Sequence, residues 1–258
     1  MTNFQDLPLE LILKILSYSD IKALITCGQV SKRIRKISHV NSLWITASLE
    51  KKIVKTELLE IILERGCRVM KISNSTILGS LSSNVKSQLR VLDLSQSTST
   101  WPGTPYRAYS GQNIGVLEQL LLSCCFLQRL AIDGLQLTPR MRDGICKNCK
   151  TLEILNLSGL DIKDDHVKIL LSRCNKIKAL SLKAVWISDI SLTYITHYLY
   201  HTLEELSLAA NMYISSTAFL ELKLMPRLKI LNLYAKIEGF KKIQNLRQNL
   251  PHLAIKTS

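Results

Sequence analysis

The residues with the clearest chemical potential are Cys146 and Cys149, in the stretch "ICKNCKTLEILNLSG" of residues 145–159. A Cys-x-x-Cys spacing can supply half of a tetrahedral zinc site or a redox-active dithiol. Zinc needs four converging ligands, and the sequence has neither a second Cys-x-x-Cys nor a histidine pair at zinc-finger distance after Cys149 to complete the set. We therefore predict that elemental analysis of the purified protein finds no stoichiometric zinc. A one-to-one zinc content that is lost when both cysteines are mutated would contradict this prediction.

Other arrangements that could support catalysis are weak. His197 and His201 have the i, i+4 spacing of metal ligands, but no glutamate follows His197 in the HExxH manner and no third ligand is evident. There is no P-loop, dinucleotide fingerprint or Gly-x-Ser-x-Gly motif, and no paired nucleophile and base. We predict that the chain is not an enzyme, has no catalytic residues, and needs neither a metal nor a cofactor.

Composition limits the cellular setting. The first apolar run is interrupted by Asp6 and Glu10, so it does not resemble a secretory signal, and no window approaches the ~18–20 uncharged apolar residues of a membrane helix. Seven cysteines without such a signal favour reduced thiols. We expect a soluble protein of the nucleus and cytoplasm with no membrane partner.

The chain of 258 residues carries a net charge of +14 that is unevenly spread. Residues 1–66 hold 10 Lys and Arg against 7 Asp and Glu (+3), and residues 67–258 hold 24 against 13 (+11). Such a basic body favours an acidic or phosphorylated partner, or nucleic acid. Because no zinc finger, RNP motif or basic stripe with interleaved aromatics is present, a solvated basic surface is the preferred interpretation and nucleic acid is not an expected partner.

The elements that would position any functional residue follow an internal repeat. The pattern Leu-x-x-Leu-x-Leu begins at Leu89, Leu127, Leu152, Ile177, Leu203 and Leu228, with a short last copy at Leu253. From Leu127 onward the steps are 25, 25, 26, 25 and 25 residues. Fainter copies begin at Cys67 and Trp44. This is the signature of leucine-rich repeats.

Each repeat is expected to form a short parallel strand, a turn and a helix of about three turns. Helix starts are indicated by Thr138-Pro139, Ser188-Asp189 and Ser215-Ser216. Strands stack ~4.8 Å apart whereas helices need ~8–10 Å, so the stack must curve with the strands inside. The predicted fold class is α/β, a solenoid with a curved parallel sheet inside and helices outside.

The repeat frame gives the Cys-x-x-Cys pair a structural interpretation. The position three residues before the first Leu or Ile is equivalent in every repeat and forms a column along the stack. The residues of this column are Cys124, Cys149, Cys174, Tyr200, Met225 and Leu250. We predict that this column is buried where each helix returns to the next strand, with cysteine acting there as a small apolar residue.

Residues 4–46 do not fit the repeat. Three short helices are predicted, with Leu11, Ile15 and Leu16 on the first. The second carries Ile21, Leu24 and Ile25, and the third carries Val30, Ile34 and Ile37. Three such helices cannot bury much apolar surface alone, so the repeat stack or a partner must cover them.

This segment resembles an F-box. The family's motifs match Leu7-Pro8-Leu9-Glu10, Ile15-Leu16-Ser17-Tyr18, Val30-Ser31-Lys32-Arg33 and Leu43-Trp44, in order over about forty residues. An F-box followed by leucine-rich repeats is the architecture of one class of substrate receptors in SCF-type cullin–RING ubiquitin ligases. The resemblance implies a three-helix F-box domain at residues 4–48, a repeat domain at 49–258, and partnership with the SCF adaptor and, through it, cullin. The alternative is a plain repeat scaffold or inhibitor whose N-terminal helices merely cap the stack.

Two sets of site residues follow. Under the resemblance, an apolar face is expected to meet the adaptor, while Leu43 and Trp44 join the F-box to the first repeat. The predicted adaptor-binding residues are Leu7, Pro8, Glu10, Leu11, Ile15, Leu16, Ile21, Leu24 and Val30. The strand residues that alternate with the inward leucines face the inner surface and are expected to hold a protein substrate, phosphorylated or not, with a cell-cycle regulator as one candidate. These are Arg129, Asp133, Asn156, Lys183, Glu205, Asn232 and Tyr234.

One repeat is longer than the others. The step from Leu89 to Leu127 is 38 residues, and the excess falls in "STSTWPGTPYRAYSG". Its prolines and glycines argue against a helix, so we expect a loop that overhangs the rim of the inner surface. It carries four residues of the types that dominate binding hot spots: Trp101, Tyr106, Arg107 and Tyr109. Packing of these aromatics back on the stack is an equally open interpretation.

Overall fold

Three short α-helices open the chain. The computed structural model describes residues 4–95, 114–132, 137–233 and 240–257. Helices α1, α2 and α3 span Leu9–Leu16, Ile21–Val30 and Lys32–Ser38, with 3₁₀ turns at Phe4–Asp6 and Asn41–Trp44. Local chemistry sets these starts. Asp20 accepts a hydrogen bond from the Ala23 backbone N–H (2.8 Å), and Ser31 accepts one from Ile34 (3.2 Å).

A parallel sheet of nine strands follows, and its strands are paired in chain order. The two remaining strands, β2 and β4, form a small parallel sheet of their own. The bounds are Thr46–Ser48 (β1), Ile53–Lys55 (β2), Val69–Lys71 (β3), Thr76–Leu78 (β4), Val91–Asp93 (β5), Arg129–Ala131 (β6), Ile154–Asn156 (β7), Ala179–Ser181 (β8), Glu205–Ser207 (β9), Ile230–Leu233 (β10) and Ala254–Thr257 (β11). Parallel pairing in chain order is what a stack of identical units requires, because each strand can reach only its neighbours in sequence.

The outer layer is helical, and the predicted α/β solenoid behind an N-terminal helical unit is confirmed. The outer helices are Thr56–Glu64 (α4), Ile114–Ser123 (α5), Pro139–Lys147 (α6), Asp164–Leu171 (α7), Asp189–Leu199 (α8) and Phe240–Asn249 (α9). The segment Ala218–Leu224 is a 3₁₀ helix, where a regular helix was expected. At ~2.0 Å per residue, a 3₁₀ helix spans in seven residues about the height that an α-helix spans in nine, which suits a short outer segment.

The core is a set of columns that run along the stack. The middle residue of each strand is buried, and the strongest column contains Leu92, Leu130, Leu155, Leu180, Leu206 and Leu231. The first and last leucines of each repeat flank this column, for example Leu152 and Leu157. Because each repeat buries its leucines only against its neighbours, the stack forms one continuous core.

The last repeat departs from the predicted register. Strand β11 pairs with β10 so that Ala254 faces Ile230 and Ile255 faces Leu231. Ile255 therefore fills the central leucine position, and Leu253 stands one place later than the repeat-starting position assigned to it. Successive side chains of a strand point to opposite faces, so a register shift of one residue changes which residue enters the core.

The predicted buried column is confirmed except at Tyr200. Cys124, Cys149, Cys174, Met225 and Leu250 are buried. Tyr200 is 39% exposed, and its neighbour Leu199 is fully buried in its place. The cause is the 26-residue step, since one extra residue turns the end of this repeat by ~100°.

One pair of cysteines contradicts the expectation of reduced thiols. Cys149 and Cys174 form a disulfide, with their Cα atoms 4.3 Å apart. They occupy the same position of consecutive repeats, 25 residues apart, so stacking of the repeats brings them together. The other five cysteines are free thiols. Over the described ranges, no helix is long and apolar enough to cross a membrane.

Candidate docking surfaces

The N-terminal unit leaves a stripe of large apolar side chains in solvent. Leu11, Ile15 and Tyr18 follow i, i+4, i+7 spacing along one face of α1 and its C-terminal turn, and they are 48%, 47% and 83% exposed. Ile12 and Leu16, on the opposite side of the helix, are buried. A short helix with apolar residues on both faces needs a second surface to cover the outer one.

The structure divides the predicted adaptor-binding residues into two groups. Leu16, Ile21 and Leu24 are buried inside the chain, where they support the exposed residues from below, and their contact with the adaptor stays a prediction. The reason is that α1 and α2 both pack on α3, and these three residues belong to the resulting core. The rest of the set reaches the surface: Leu7 is partly buried, and Pro8, Glu10, Leu11, Ile15 and Val30 are exposed.

A second apolar surface lies beside the first. An open groove of about 650 Å³ runs between the start of α1 and α3. Its lining combines apolar and cationic side chains: Leu9, Lys32, Arg33, Lys36, Ile37 and Val40. Arg33 also ties the chain start to α3, because its guanidinium donates to the carbonyl oxygens of Gln5 and Leu7, the latter at 2.9 Å. Arg33 is therefore partly structural.

Trp44 joins the N-terminal unit to the repeat stack. It is 1% exposed, and its indole Nε1–H donates to the Ser38 carbonyl at 2.7 Å. The Arg65 guanidinium, at the end of α4, lies 4.6 Å from the centre of the indole ring. Helix α3, the 3₁₀ turn at Asn41–Trp44 and the first repeat therefore meet on one side chain, and β1 begins two residues later.

The inner surface of the sheet carries small and polar side chains. Arg129 and Glu205 are exposed at the first strand position, while Asn156, Asn232 and Lys183 are half-buried further along. The Asn156 side-chain oxygen is already engaged, accepting from the Ser158 backbone N–H (3.0 Å) and hydroxyl (2.6 Å). This is an open, mixed surface with no enclosed pocket among these residues. The other predicted substrate-binding residues, Trp101, Tyr106, Arg107, Tyr109, Asp133 and Tyr234, lie outside the described residues.

Aspartates at helix starts link neighbouring repeats. Asp164 Oδ1 accepts from the Ser188 backbone N–H (2.9 Å) and the Ser191 hydroxyl (2.5 Å), and Oδ2 accepts from the Ser188 hydroxyl (2.7 Å). Burial by itself raises the pKa of Asp164, but the hydrogen bonds from Ser191 and Ser188 outweigh it and hold the pKa below its usual value. Asp189 binds Ser215 in the next repeat in the same way.

The thiols and histidines do not form a reactive site. Burial raises the pKa of the Cys67 and Cys124 thiols to about 11, so both are protonated at neutral pH and are poor nucleophiles. His201 lies beyond the end of α8 at Leu199 and contacts Tyr200, while His197 contacts Tyr198. Within the part of the chain that the structure describes, no three His, Cys, Asp or Glu side chains are grouped to hold a metal ion.

Sequence reasoning overlooked two surface features. Trp186 and Tyr213 are exposed in the loops after β8 and β9, with ring centroids 5.9 Å apart, and exposed Ile190 and Met212 are close to them in sequence. Both aromatic residues fall between repeat positions, so the Leu-x-x-Leu-x-Leu frame gave no reason to pair them. The second feature is a row of charged residues directly before the strands, which the same frame does display: it is the residue after the first Leu of each repeat.

Comparison with known proteins identifies the N-terminal segment. Residues 4–50 match the family model described as F-box-like, so the chain carries an F-box-like domain at its N-terminus. Two solved structures resemble about half of the chain. One is "Leiomodin-1 Actin-Binding Site 2 (ABS2)", with 16% identity and a TM-score of 0.40 over 52% of this chain and 87% of that one. The other is the tropomodulin C-terminal domain of Caenorhabditis elegans, with 11% identity and a TM-score of 0.41 over 55% of this chain and 93% of that one. At these identities and TM-scores, neither likeness says what this chain binds.

Proposed function

We propose that this chain is the substrate-recognition subunit of an SCF-type cullin–RING ubiquitin ligase. The N-terminal helices dock on the SCF adaptor and, through it, on cullin, and the repeats hold a protein substrate for ubiquitination and proteasomal degradation. One observation carries the proposal: the segment that matches the F-box-like model, residues 4–50, is also the segment that leaves the stripe Leu11, Ile15 and Tyr18 in solvent. The chain itself contributes binding surfaces, and ligase chemistry comes from the other subunits.

The adaptor is expected to cover the stripe of α1. Fully burying a Leu or Ile side chain contributes ~1.5–3 kcal/mol, and clustered anchors of this kind dominate interface energies. Leu7 and Pro8 contribute to the same surface at the start of α1, where Pro8 is the N-cap residue. Glu10 in the first turn and Val30 at the end of α2 complete the accessible set.

Adaptor binding by variants of the exposed stripe tests the proposal. The double variant Leu11→Ala, Ile15→Ala is expected to weaken adaptor binding at least ~100-fold, since two anchors of ~2 kcal/mol each are lost. The matched control is Leu220→Ala, Leu224→Ala, which removes two exposed apolar side chains from the far end of the stack. The control should bind the adaptor like the unmodified chain.

Both variants are measured by biolayer interferometry against the immobilised adaptor, with thermal unfolding followed by circular dichroism. Unaltered adaptor binding by the Leu11→Ala, Ile15→Ala protein contradicts the proposed docking surface. A folded chain that binds no adaptor at all contradicts the ligase role and leaves the repeat scaffold. Leu7→Ala with Pro8→Ala should also reduce binding, because it disturbs the start of α1.

The substrate is proposed to lie on the inner surface of the sheet and its rim. The proposed contacts are Arg129, Asp133, Asn156, Lys183, Glu205, Asn232 and Tyr234, with Trp101, Tyr106, Arg107 and Tyr109 from the long loop. Trp101→Ala with Tyr106→Ala should reduce substrate ubiquitination while adaptor binding persists, with hot-spot losses of ~2 kcal/mol or more. Unreduced ubiquitination by this variant would assign the loop to packing.

Within this class of receptors, we propose that the chain is similar to S-phase kinase-associated protein 2, which it resembles in sequence. The feature that supports this is the direct continuation of the F-box-like segment into the first strand, with Trp44 buried at the junction and β1 starting at Thr46.

A further inference from the structure

A row of seven residues, six of them charged, precedes the strands of the stack. It consists of Arg68, Arg90, Gln128, Glu153, Lys178, Glu204 and Lys229. Each member is joined to the next by a backbone hydrogen bond, from Arg90 N–H to the Arg68 carbonyl (2.8 Å) through to Lys229 N–H and the Glu204 carbonyl (2.9 Å). The row is therefore continuous, and its members are spaced by the ~4.8 Å of neighbouring strands.

The C-terminal half of this row neutralises itself. Lys178 Nζ lies 2.9 Å from a Glu153 carboxylate oxygen, and Lys229 Nζ lies 2.7 Å from a Glu204 oxygen. Acid and base alternate along the row, and each lysine has a carboxylate partner on the preceding strand. This half presents almost no net charge to a partner.

The N-terminal half of the row is cationic without compensation. Arg68 and Arg90 are exposed neighbours at the same register of β3 and β5, and Arg129 is exposed at the first position of β6, beside β5. Among the described residues, no ion pair involves any of these three arginines. The residues outside the described ranges contain two acids, Asp133 and Glu238, and the segment 96–113, which follows β5 in the sequence, contains none.

Other cations extend this field towards the N-terminal unit. Arg65 is half-buried over Trp44 and donates to the His39 carbonyl at 3.3 Å. Burial lowers the pKa of His39, and the positive charges of Arg65 and Arg35 lower it further. Three carboxylates belong to this part of the stack: Glu64, next to Arg65 in the chain; Asp93, whose Oδ1 already accepts from the Ser95 backbone N–H at 3.0 Å; and Glu153, which is paired with Lys178.

Adjacent guanidinium groups favour one type of ligand. Arginine presents a planar fork of donors that binds carboxylate or phosphate in a bidentate manner. The backbones that carry the two forks are ~4.8 Å apart, and long arginine side chains can spread to meet anionic groups on alternate residues of an extended segment, which are ~6.7 Å apart. Nucleic acid fits less well, because sequence-independent binding of single strands uses repeated aromatic platforms and Phe126 is the one exposed aromatic residue in the turns before β5 and β6.

We infer that Arg68, Arg90 and Arg129 form a docking site for an acidic segment of a partner protein, one that carries side-chain carboxylates or phosphates. The inference deepens the proposed function, since it gives the chemistry of the substrate segment and its place on the first repeats. The acidic segment crosses the starts of β3, β5 and β6 and adds its carboxylates or phosphates to the unpaired half of the row.

Peptide binding tests the site without the adaptor. Fluorescein-labelled 10-residue peptides with glutamate, phosphoserine or serine at alternate positions are titrated with the full chain at ~50 mM salt, and binding is followed by fluorescence anisotropy. Arg68→Glu, Arg90→Glu is expected to weaken binding of the anionic peptides about 10-fold or more, as expected for two exposed charge pairs of ~0.7 kcal/mol each. Binding of the glutamate and phosphoserine peptides relative to the serine peptide tells which anion is preferred.

The matched control is Lys178→Glu, Lys229→Glu, which changes the net charge equally in the paired half of the same row. It should weaken binding by less than about 3-fold, the part due to long-range charge alone. Equal losses in both variants would overturn the site, and so would tighter binding of a ten-nucleotide deoxythymidine strand that also depends on Arg68 and Arg90. The single variants Arg68→Ala and Arg90→Ala, checked by thermal unfolding, guard against misfolding. Adaptor binding is measured separately, so failure of this site and failure of the proposed function give different results.

Discussion

The N-terminal helices and the repeat stack handle their apolar side chains in opposite ways. In the stack the leucines of each repeat enter a column that continues from strand to strand, and Leu130, Leu155 and Leu180 are almost fully buried. In the N-terminal unit the helices are short. Helix α1 buries Ile12 and Leu16 but leaves Leu11 and Ile15 about half exposed. In the stack, the apolar face of each repeat is buried by the neighbouring repeat. The N-terminal unit has the stack on one side only, so its outer face is available to a partner.

Substitution of Trp44 tests whether the N-terminal helices and the repeat stack are separate units of stability. Trp44→Ala is expected to cost ~3–5 kcal/mol of unfolding free energy, because a fully buried ring, its hydrogen bond to Ser38 and its contact with Arg65 are lost together. Hydrogen exchange should show the loss mainly in α1–α3, while β7–β10 keep their protection. A uniform loss of protection over the whole chain would mean that the two regions unfold as one unit.

The conservative variant Trp44→Phe separates the contributions at this junction. It keeps most of the apolar volume and removes the indole N–H, which leaves the Ser38 carbonyl without this donor. A smaller cost of ~1–3 kcal/mol is expected.

Matched leucine and isoleucine truncations sharpen the comparison. Leu155→Ala, in the central column, is expected to destabilise the protein by ~2–5 kcal/mol, since the rigid neighbours on β6 and β8 cannot close the cavity. Ile15→Ala removes a side chain of similar size from the exposed stripe and is expected to change stability by about 0.5 kcal/mol or less. Urea unfolding gives both values, and comparable losses would show that Ile15 is part of the core.

The pH dependence of the stack reports on the aspartates between repeats. The folded pKa of Asp164 lies below its unfolded value of ~3.9, so its stabilisation is complete above about pH 4 and is lost as the pH falls through the folded pKa. Asp164→Asn is expected to cost on the order of 1 kcal/mol at pH 7, and the cost should decrease as the pH falls below about 4. Urea unfolding between pH 3 and pH 7 measures the difference, and a cost that does not change with pH would exclude the charge as its cause.

The exposed aromatic pair Trp186 and Tyr213 is an exception to the burial of large side chains in the stack. Trp186 and Tyr213 are exposed, as the side chains of the N-terminal stripe are, and their ring centroids lie 5.9 Å apart. Trp186→Ala with Tyr213→Ala is expected to change the free energy of unfolding by less than about 1 kcal/mol, because little apolar surface is buried at these positions. A larger loss in thermal or urea unfolding would place the pair in the stack's own packing.

Periodicity was sufficient for most of the stack. The Leu-x-x-Leu-x-Leu spacing predicted the strands, their order and the buried leucine column, because a 25-residue unit can bury its apolar face only against its copies. The same spacing placed Cys149 in a structural column. It failed where the spacing itself changes, at Tyr200 and at Leu253, since one extra or missing residue moves a side chain to another face.

Local patterns were weaker guides in the N-terminal unit. Motif order located the F-box-like segment, which the family match over residues 4–50 supports independently. The motif could not say that Leu16, Ile21 and Leu24 turn inward while Leu11 and Ile15 face solvent. All five are aliphatic residues on short helices, so only the packing of α1 on α3 and of α2 on α3 separates the core face from the accessible one.

The sequence by itself determined which repeat position each residue occupies, because the period is a property of the chain alone. Tertiary structure decided which of those positions meet. Cys149 and Cys174 pair because stacking places equal positions of consecutive repeats side by side, with Cα atoms 4.3 Å apart. For the same reason Lys178 and Lys229 pair with carboxylates that precede the neighbouring strands, while Arg68 and Arg90 lie next to each other and form no ion pair with any described residue. Contacts across repeats depend on three-dimensional register, which composition and spacing along one chain do not contain.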